Sequence, residues 1–485
     1  MAQRELISVP TLTGHGIGNI KAHNLRAVLL TLLHQGPTSR VRLAQLTGLS
    51  STTITNLIAE LSDQGIVAET GKEGPAAAGA VAAGATAAGA AGTGAAGAGA
   101  AHSRNGNGRT GAGRAGAGRP ATLVGIVPSA RCAAGLHFGV DTIRVGVTDL
   151  FGNLLCYRVL PHPPDLSPAK LLDQAAAQIE DAIVQACVSR TALVGIGVGA
   201  SGLVDPESGV NVVAPNLGWH DVPIRDILAR RLNLPVFVDN NVRAMALAEA
   251  MFGAGRGVST LAFVYSRVGV GAGFVVGGDV YRGSRAGAGE IGHTTMIPAG
   301  GARCRCGNTG CLEMLVSEPE IVRQAQVLAA RAPDSLLALK LTTDDGRRTT
   351  DELASEMVVG RRTSDAGEIC ADDALDAPIE RVFAAARGGD RETLAMLDER
   401  AFYMGTALAN IVNLINPDMI ILGGLFAAGA DLMLPRIEET MRRRAFAGLG
   451  DAVTLRVTSF GRRVGAVGAA ALALDAFFYR QETAS

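Results

Sequence analysis

The chain has 485 residues, which exceeds one ordinary hydrophobic core and indicates two or three domains. Its 44 Lys and Arg residues nearly balance 45 Asp and Glu residues, so the whole chain is not a polycation, and its apolar runs are too short to cross a bilayer. These features argue against a membrane or secreted protein, and we expect a cytoplasmic location without membrane partners.

Charge is unevenly distributed along the chain. Residues 1–120 contain ten basic and five acidic side chains, whereas the whole chain has a net charge of −1. A modestly basic N-terminal module on an acidic body is compatible with nucleic-acid contact at one end. The Gly- and Thr-rich residues 1–20 predict a flexible arm before this module.

Residues 21–73 have the spacing of a helix-turn-helix. One helix is predicted over Arg40–Leu46, with Leu46 facing the core, and a second over Ser51–Gln64. Gly48 allows the turn between them, and Ser50 is placed to cap the second helix. Short strands after this pair predict a winged helix-turn-helix DNA-binding domain.

The outward face of the second helix carries short hydrogen-bonding side chains, which suit base edges and phosphates in the major groove. Two arginines of the preceding helix are placed to reach the DNA backbone. The candidate DNA-contacting residues are Arg40, Arg42, Ser51, Thr52, Thr55 and Asn56. The alternative is a small helical bundle used for protein docking.

Residues 74–118 form a low-complexity insert or linker, since 33 of these 45 residues are Ala or Gly. Predicted short strands flank it at Gly65–Val67 and Arg119–Leu123. Two strands around a loop would make a wing, with the insert at its tip. A hinge between domains is the alternative.

Residues 119–485 alternate short Val/Ile/Leu strands with Ala/Leu helices, which indicates an α/β body. Leu136–Val147 and Asn153–Leu160 predict a hairpin. A buried strand is expected at Leu193–Gly199, and a long helix at Ala395–Asn416. Residues 330–390 are polar and irregular, and their pattern predicts no organisation.

Three cysteines, Cys304, Cys306 and Cys311, lie within eight residues among glycines that relieve the backbone. His293, eleven residues upstream, would complete a tetrahedral Cys3His set. A closed set of this kind predicts a structural Zn²⁺ site rather than a catalytic one. Unrelated free cysteines are the alternative.

The stretch Glu290–His293, followed by Cys-x-Cys-Gly-x-x-Gly-Cys-Leu-Glu up to Glu313, resembles the signature of the ROK family. That family groups bacterial sugar kinases with sugar-responsive repressors of the xylose and N-acetylglucosamine regulator type. Ala214–Trp219, Val238–Val242 and Asn416–Gly424 are similar to other stretches of the family pattern. The resemblance covers about residues 134–480, and residues 24–70 resemble the winged helix-turn-helix of the repressor branch.

The resemblance implies an α+β multidomain chain, with the winged helix-turn-helix followed by two actin-like (ribonuclease H-like) α/β lobes and a sugar cleft between them. It implies that five residues line the cleft: Asn240, Asn241, Glu290, His293 and Glu313. It also implies double-stranded operator DNA, a sugar or sugar derivative, and a second copy of the chain as partners, in a homodimer or homotetramer.

Three departures from the family's kinases indicate a protein that is not an enzyme. Asn241 stands where the kinases carry the Asp general base, and an amide cannot accept the proton. Gly139–Asp141 lacks the glycine pair of a phosphate loop, and Ser266–Gly269 replaces a Gly-Thr-Gly run. We therefore expect a sugar-responsive transcriptional regulator, a repressor of carbohydrate uptake or catabolism genes that associates with the nucleoid when bound to DNA. The alternatives are a ROK sugar kinase of the ATP-dependent hexokinase type with degenerate motifs, and a regulator that responds to a partner protein.

Overall fold

The computed structural model describes residues 17–72, 121–161, 166–342 and 378–480. The insert over 74–118 and residues 1–16 of the expected arm lie outside the described residues. Helix α1 spans Ile17–Gln35, so the last four residues predicted as arm are helical instead. Once a helix is nucleated, each added residue costs little, and the apolar helix that follows extends through them.

Contacts divide the chain into two compact units, of which the smaller is Gln35–Ile126. It contains two helices and a three-stranded antiparallel sheet in the order β1-β3-β2. Its elements are β1 (Thr38–Ser39), α2 (Arg40–Thr47), α3 (Ser51–Asp63), β2 (Val67–Lys72) and β3 (Thr122–Ile126). These bounds place β3 with the smaller unit and α1 up to His34 with the larger one, unlike the boundaries predicted at residues 73 and 119.

The predicted turn and cap of the two-helix motif are confirmed. Gly48 has φ +71°, a left-handed conformation that favours glycine. The Ser50 side chain accepts a hydrogen bond from the backbone N–H of Thr53 at 3.1 Å and so caps α3. The expected burial of Leu46 is wrong, because α2 ends at Thr47 and leaves this side chain 41% exposed.

The two strands that flank the insert are hydrogen-bonded partners. β2 and β3 run antiparallel, from the pair Val67 and Ile126 to the pair Lys72 and Thr122. The insert therefore joins the adjacent ends of two paired strands. This is the arrangement expected of a wing, not of a hinge between domains.

The larger unit contains two five-stranded sheets with one topology. The first has the order β11-β7-β4-β5-β6; a small sheet, β10-β9-β8, accompanies it. The elements are β4 (Cys132–Phe138), β5 (Thr142–Asp149), β6 (Leu154–Pro161), α4 (Pro168–Gln185), β7 (Leu193–Ala200), β8 (Leu203–Asp205), β9 (Val210–Ala214), β10 (Trp219–Val222), α5 (Ile224–Leu232), β11 (Val236–Asn240) and α6 (Asn241–Met251).

The second sheet has the order β14-β13-β12-β15-β16. In each sheet the three strands that come first along the chain are antiparallel neighbours, β4–β6 in one sheet and β12–β14 in the other. The two strands that come later in the chain add in parallel beside the first of these three, as expected of paired actin-like lobes. The elements are β12 (Thr260–Ser266), β13 (Val270–Val276), β14 (Asp279–Tyr281), α7 (Glu313–Val316), α8 (Glu318–Arg331), α9 (Leu336–Thr342), α10 (Pro378–Arg387), α11 (Arg391–Ile415), β15 (Met419–Gly424), α12 (Leu425–Ala428), α13 (Ala430–Arg444), α14 (Leu449–Ala452), β16 (Thr454–Val457) and α15 (Val464–Ala473).

The stretch Leu136–Val147, predicted as one strand of a hairpin, is two strands. β4 ends at Phe138 and β5 starts at Thr142, and the backbone N–H of Gly139 donates to the Thr142 carbonyl at 2.9 Å to close the turn. Apolar residues on both sides of a three-residue turn hid it in the sequence. The same turn forms one wall of the cavity described below.

Helix α15 packs directly on the first sheet. A Cβ atom at Gly197 of β7 would collide with the backbone carbonyl of Ala469, so only glycine allows this approach. Gly197 is therefore required for the close packing of this helix on the sheet.

Helix α1 is tied to the larger unit by a cluster of four charges. Arg26 lies 2.8 Å from Asp279, and Arg480 lies 2.7 Å from both Asp279 and Asp475. Asp475 is buried, so these guanidinium groups provide the compensation that a buried carboxylate requires.

Across the ranges that the structure describes, no helix combines the length and apolarity needed to cross a lipid bilayer.

Candidate functional site

The candidate DNA-contacting residues lie on one exposed region of the smaller unit. Ser51, Thr52, Thr55 and Asn56 are all exposed on α3, and the Thr55 hydroxyl donates to the Ser51 carbonyl at 2.8 Å. The two candidate arginines are on α2, where Arg40 lies 3.5 Å from Glu69 and Arg42 donates to Gln45 at 3.2 Å. Both arginine contacts are on the surface, where such pairs break at little cost.

The larger unit contains a cavity of about 370 Å³ between its two lobes. This volume is within the range of small-molecule sites. The β4–β5 turn and the start of α6 form one side, and the β12–β13 turn and the cysteine loop form the other. All five candidate sugar-contacting residues line it: Asn240, Asn241, Glu290, His293 and Glu313.

The two asparagines at the start of α6 have different roles. Asn240 caps the helix, because its side-chain oxygen accepts from the N–H groups of Val242 and Arg243 at 2.8 and 3.2 Å. Asn241 is buried and donates to the Ser201 hydroxyl at 3.2 Å. Asn241 therefore presents a neutral amide, held by Ser201, to the cavity.

Two carboxylates face the cavity from the second lobe. One oxygen of Glu313 accepts from the N–H of Val270 at 3.0 Å, which fixes the side chain beside the β12–β13 turn. Desolvation raises the pKa of Glu290, although His293 and Arg243 act in the opposite direction. Carboxylates in such a setting can accept hydrogen bonds from the hydroxyl groups of a polyol.

Four side chains beside the cavity converge as a possible metal site. One donor atom each from His293, Cys304, Cys306 and Cys311 lies within 4.8 Å of the others, so this cluster could hold a metal ion. Cys304 Sγ is 3.7 Å from His293 Nδ1, and Cys306 Sγ is 3.7 Å from Cys311 Sγ. His293 belongs both to this metal-type cluster and to the lining of the cavity.

An ion pair across the cavity was not predicted from sequence. Arg267 of the β12–β13 turn donates through both terminal nitrogens to Asp141 of the β4–β5 turn, at 3.0 and 2.9 Å. Burial alone would raise the pKa of Asp141, but Arg267 and then Arg144 lower it below its usual value. Asp141 and Arg267 belong to Gly139–Asp141 and Ser266–Gly269, the two stretches that differ from the family's kinases. No signal in the sequence indicated that the two side chains would pair.

A second contact across the cavity joins Arg305 of the cysteine loop to Asn216. The Arg305 guanidinium donates to Asn216 Oδ1 at 3.1 Å, and both residues line the cavity. Asn216 lies within Ala214–Trp219, so the family motif could have marked it as a cavity residue. Arg305 has no comparable sequence signal, because its neighbours are recognised only as metal ligands.

Comparisons with known proteins divide into whole-chain and partial matches. The xylose repressor of Bacillus subtilis (strain 168) is 26% identical over 461 residues, covering 94% of this chain and 96% of that protein. A glucokinase of Halalkalibacterium halodurans is 31% identical over 340 residues, covering 70% of this chain and 94% of the glucokinase. The partial match is the length expected if only the larger unit is shared.

A solved structure extends the comparison to the fold. The crystal structure of a ROK family transcriptional regulator, homologous to the E. coli Mlc protein, has a TM-score of 0.69 and 24% identity. It matches over 95% of this chain and 98% of its own. The ROK family model itself matches residues 133–476. This chain therefore belongs to the ROK family.

Proposed function

We propose that this protein is a sugar-responsive, DNA-binding transcriptional repressor whose ROK body binds a sugar or sugar derivative without phosphorylating it. One observation carries the proposal: a winged helix-turn-helix unit and a sugar-type cavity with an amide at the base position occur in one chain. A repressor relative that matches nearly the whole chain supports the same conclusion. Its targets would be carbohydrate uptake or catabolism genes, so it would act in the cytoplasm, on the nucleoid when bound to DNA.

The DNA-binding half of the proposal rests on helix α3. Its exposed residues Ser51, Thr52, Thr55 and Asn56 would meet base edges, while Arg40 and Arg42 would contact phosphates. A two-fold symmetric dimer would present two such helices roughly 34–36 Å apart, the spacing of successive half-sites. We therefore propose a homodimer, or a tetramer built from such dimers, as the DNA-bound form.

The sugar-binding half rests on the cavity. Glu290 and Glu313 would accept hydrogen bonds from hydroxyl groups, and Asn241 would complete the set with a neutral amide. Sugar binding between two lobes would favour one lobe arrangement and change the affinity for operator DNA. A ligand can shift that balance only by its differential affinity, typically about 1–3 kcal/mol of coupling. Release from DNA by the sugar is the effect we expect.

Two features argue against phosphoryl transfer. Asn241 cannot accept a proton, and a positioned general base typically supplies about 10²–10⁴-fold in rate. The Gly139–Asp141 turn also lacks the glycine pair of a phosphate loop, so its backbone N–H groups are not arranged to approach a nucleotide phosphate.

For the metal cluster, we propose structural Zn²⁺. One imidazole and three thiolates are the donor set that Zn²⁺ prefers, and a tetrahedral zinc with Zn–S bonds near 2.3 Å would hold its sulfurs about 3.8 Å apart. The 3.7 Å between Cys306 and Cys311 fits that spacing. With four protein ligands the ion would have no open position, so it would fold the cysteine loop and fix the orientation of His293 towards the cavity.

The recognition helix can be tested by mutation. Thr52→Ala and Asn56→Ala should each weaken operator binding about fivefold to 150-fold, since a base contact contributes about 1–3 kcal/mol, and leave sugar affinity unchanged. Fluorescence anisotropy on DNA upstream of the protein's own gene, titrated with a sugar panel, measures both. Ser62→Ala, at the exposed C-terminal end of α3, is the matched control. A parallel loss of DNA and sugar binding would show that the assignment of α3 is wrong.

The kinase alternative makes a separate prediction. The protein should show no sugar-dependent ATP turnover above background in a coupled assay of ADP release. Asn241→Asp, which restores a carboxylate at the base position, should still show none, because Gly139–Asp141 still lacks the glycine pair of a phosphate loop. Sugar-dependent ATP turnover by the unmodified protein would show that the cavity is a kinase active site, contrary to our proposal.

A further inference from the structure

One end of the cavity is formed by an unusual group of buried polar side chains on β4 and β5. His137 of β4 lines the cavity and lies directly opposite Arg144 of β5, so the two side chains share one face of the sheet. Their side chains are almost completely buried, with exposures of 3% and 7%. Gly139, also in the cavity wall, is so close to Arg144 that a Cβ there would lie 3.4 Å from Arg144 Nη1. Arg144 is therefore separated from the cavity by little more than a glycine.

Arg144 is a buried cation that contacts no carboxylate directly within the part of the chain that the structure describes. Its Nη1 donates to the Thr142 hydroxyl at 2.8 Å, but its Nε is buried without a hydrogen-bond partner. The Thr142 hydroxyl in turn donates to Asp141 at 3.3 Å, so a carboxylate is linked to Arg144 through a hydroxyl and not by direct contact. Burying a guanidinium without a directly bound counter-charge carries a free-energy cost. An anion bound nearby would offset that cost.

A second cation lies beside it. Arg267 is paired with Asp141 and has its Nε 3.9 Å from Glu318. The Asp141 side chain is 53% exposed, against 24% for Arg267, so the carboxylate can be exchanged for another anion more easily than the guanidinium can move. Glu318 is mostly buried, and burial raises its pKa.

His137 completes the group as a neutral donor or acceptor. Burial first, then Arg144 and Arg267, lower the pKa of His137 to about 3, against a small opposing effect of Asp141. The imidazole is therefore uncharged at neutral pH, and its Nδ1 is buried without a hydrogen-bond partner. Tyr265, half-buried at the same end, adds a phenol whose pKa is raised by desolvation.

We propose that Arg144, Arg267 and His137 form an anion subsite at this end of the cavity, and that the natural ligand is an acidic sugar carrying a phosphate ester or a carboxylate. The proposal rests on the proposed sugar-binding function. The sugar ring would face Glu290, Glu313 and Asn241, and its anionic group would displace Asp141 from Arg267. A neutral sugar would leave Asp141 as the carboxylate that serves both arginines, Arg267 directly and Arg144 through the Thr142 hydroxyl.

The subsite can be probed with inorganic phosphate alone, followed by ³¹P NMR line broadening on the full chain. Phosphate should bind, and Arg267→Met or Arg144→Met should weaken binding roughly tenfold or more, the effect of one charge-assisted hydrogen bond. Asp141→Asn should strengthen it, which a purely structural Asp141 would not do. Arg158→Met, a partly exposed arginine on β6, is the control. If Arg144→Met fails to fold, Arg267→Met and Asp141→Asn still decide the result; no phosphate binding, or binding indifferent to both, overturns the proposal.

The source of the anion is distinguished by calorimetry with matched neutral sugars, their phosphate esters and their uronates. A phosphate ester or uronate that binds at least tenfold more tightly than both its neutral sugar and free phosphate supports the proposal and names the group. A neutral sugar that binds best, or a panel in which only ATP binds, overturns it. Operator binding released by a neutral sugar would retain the proposed repressor and remove the anion subsite. Absence of operator binding would instead remove the repressor, whatever phosphate does.

Discussion

Cys304→Ser is expected to abolish zinc binding at the cysteine cluster and the response to sugar together. Cys304 Sγ lies 3.7 Å from His293 Nδ1, and Cys304 itself does not line the cavity. Its loss therefore reaches the ligand through His293, whose ring would no longer be held by the ion. Three remaining donors bind zinc far more weakly, because a serine hydroxyl is not a thiolate. We expect one zinc per chain in the unmodified protein and almost none in the variant.

Metal content by mass spectrometry and sugar affinity by calorimetry measure the two effects independently. Cys187→Ser, at an exposed free cysteine remote from the cluster in sequence, should change neither. Thermal unfolding of both variants separates loss of the local loop from loss of the whole fold. Retained zinc in Cys304→Ser, or lost zinc with an unchanged sugar response, would contradict the role given to His293.

Arg243→Met is expected to destabilise the larger unit by about 3–5 kcal/mol, the cost of leaving a buried charge without its partner. Asp239 is completely buried, and Arg243 holds it through two nitrogens at 2.7 and 2.6 Å. Arg282 gives Asp239 a third contact at 2.8 Å but is itself partly exposed. The same pair sets the end of β11, where Asn240 and Asn241 enter the cavity.

Urea unfolding monitored by circular dichroism checks the size of this effect. The control is Arg231→Met, which breaks an exposed pair with Asp173 at 3.4 Å and should cost at most about 1 kcal/mol. If Arg243→Met costs no more than that control, the buried pair does not stabilise the lobe. Weaker sugar binding in the folded fraction would show that it also positions the asparagines.

Secondary structure in the larger unit was predictable where a single periodicity of apolar residues runs through a whole helix or strand. The expected strand Leu193–Gly199 matches β7, and the expected helix Ala395–Asn416 lies within a few residues of α11 at both ends. The three-residue turn between β4 and β5 was missed because apolar residues continue on both sides of it. Leu46 was assigned to the core by spacing alone, whereas the end of α2 exposes it.

The sequence also predicted some residues of the site correctly and left the role of others open. The cysteine loop and the family motifs mark His293, Glu290 and Glu313 in the sequence, and all three meet at one cavity. Asn240 was predicted to face the sugar, and its oxygen is used to cap α6. The motif places a side chain near the site, but only its hydrogen bonds decide what it can still offer to a ligand.

By itself, the sequence indicated a helix-turn-helix ahead of an α/β body, the cysteine cluster that could hold a metal, and an amide at position 241, because each depends on residue type at short spacing. Only the tertiary structure decided that Asp141 and Arg267, 126 residues apart, pair across the cavity, and that Arg144 is buried beside them. Long-range pairing depends on how two lobes close on each other, and the cost of a buried charge depends on its surroundings. Neither the pairing of distant residues nor the cost of burying a charge can be predicted from a local sequence pattern.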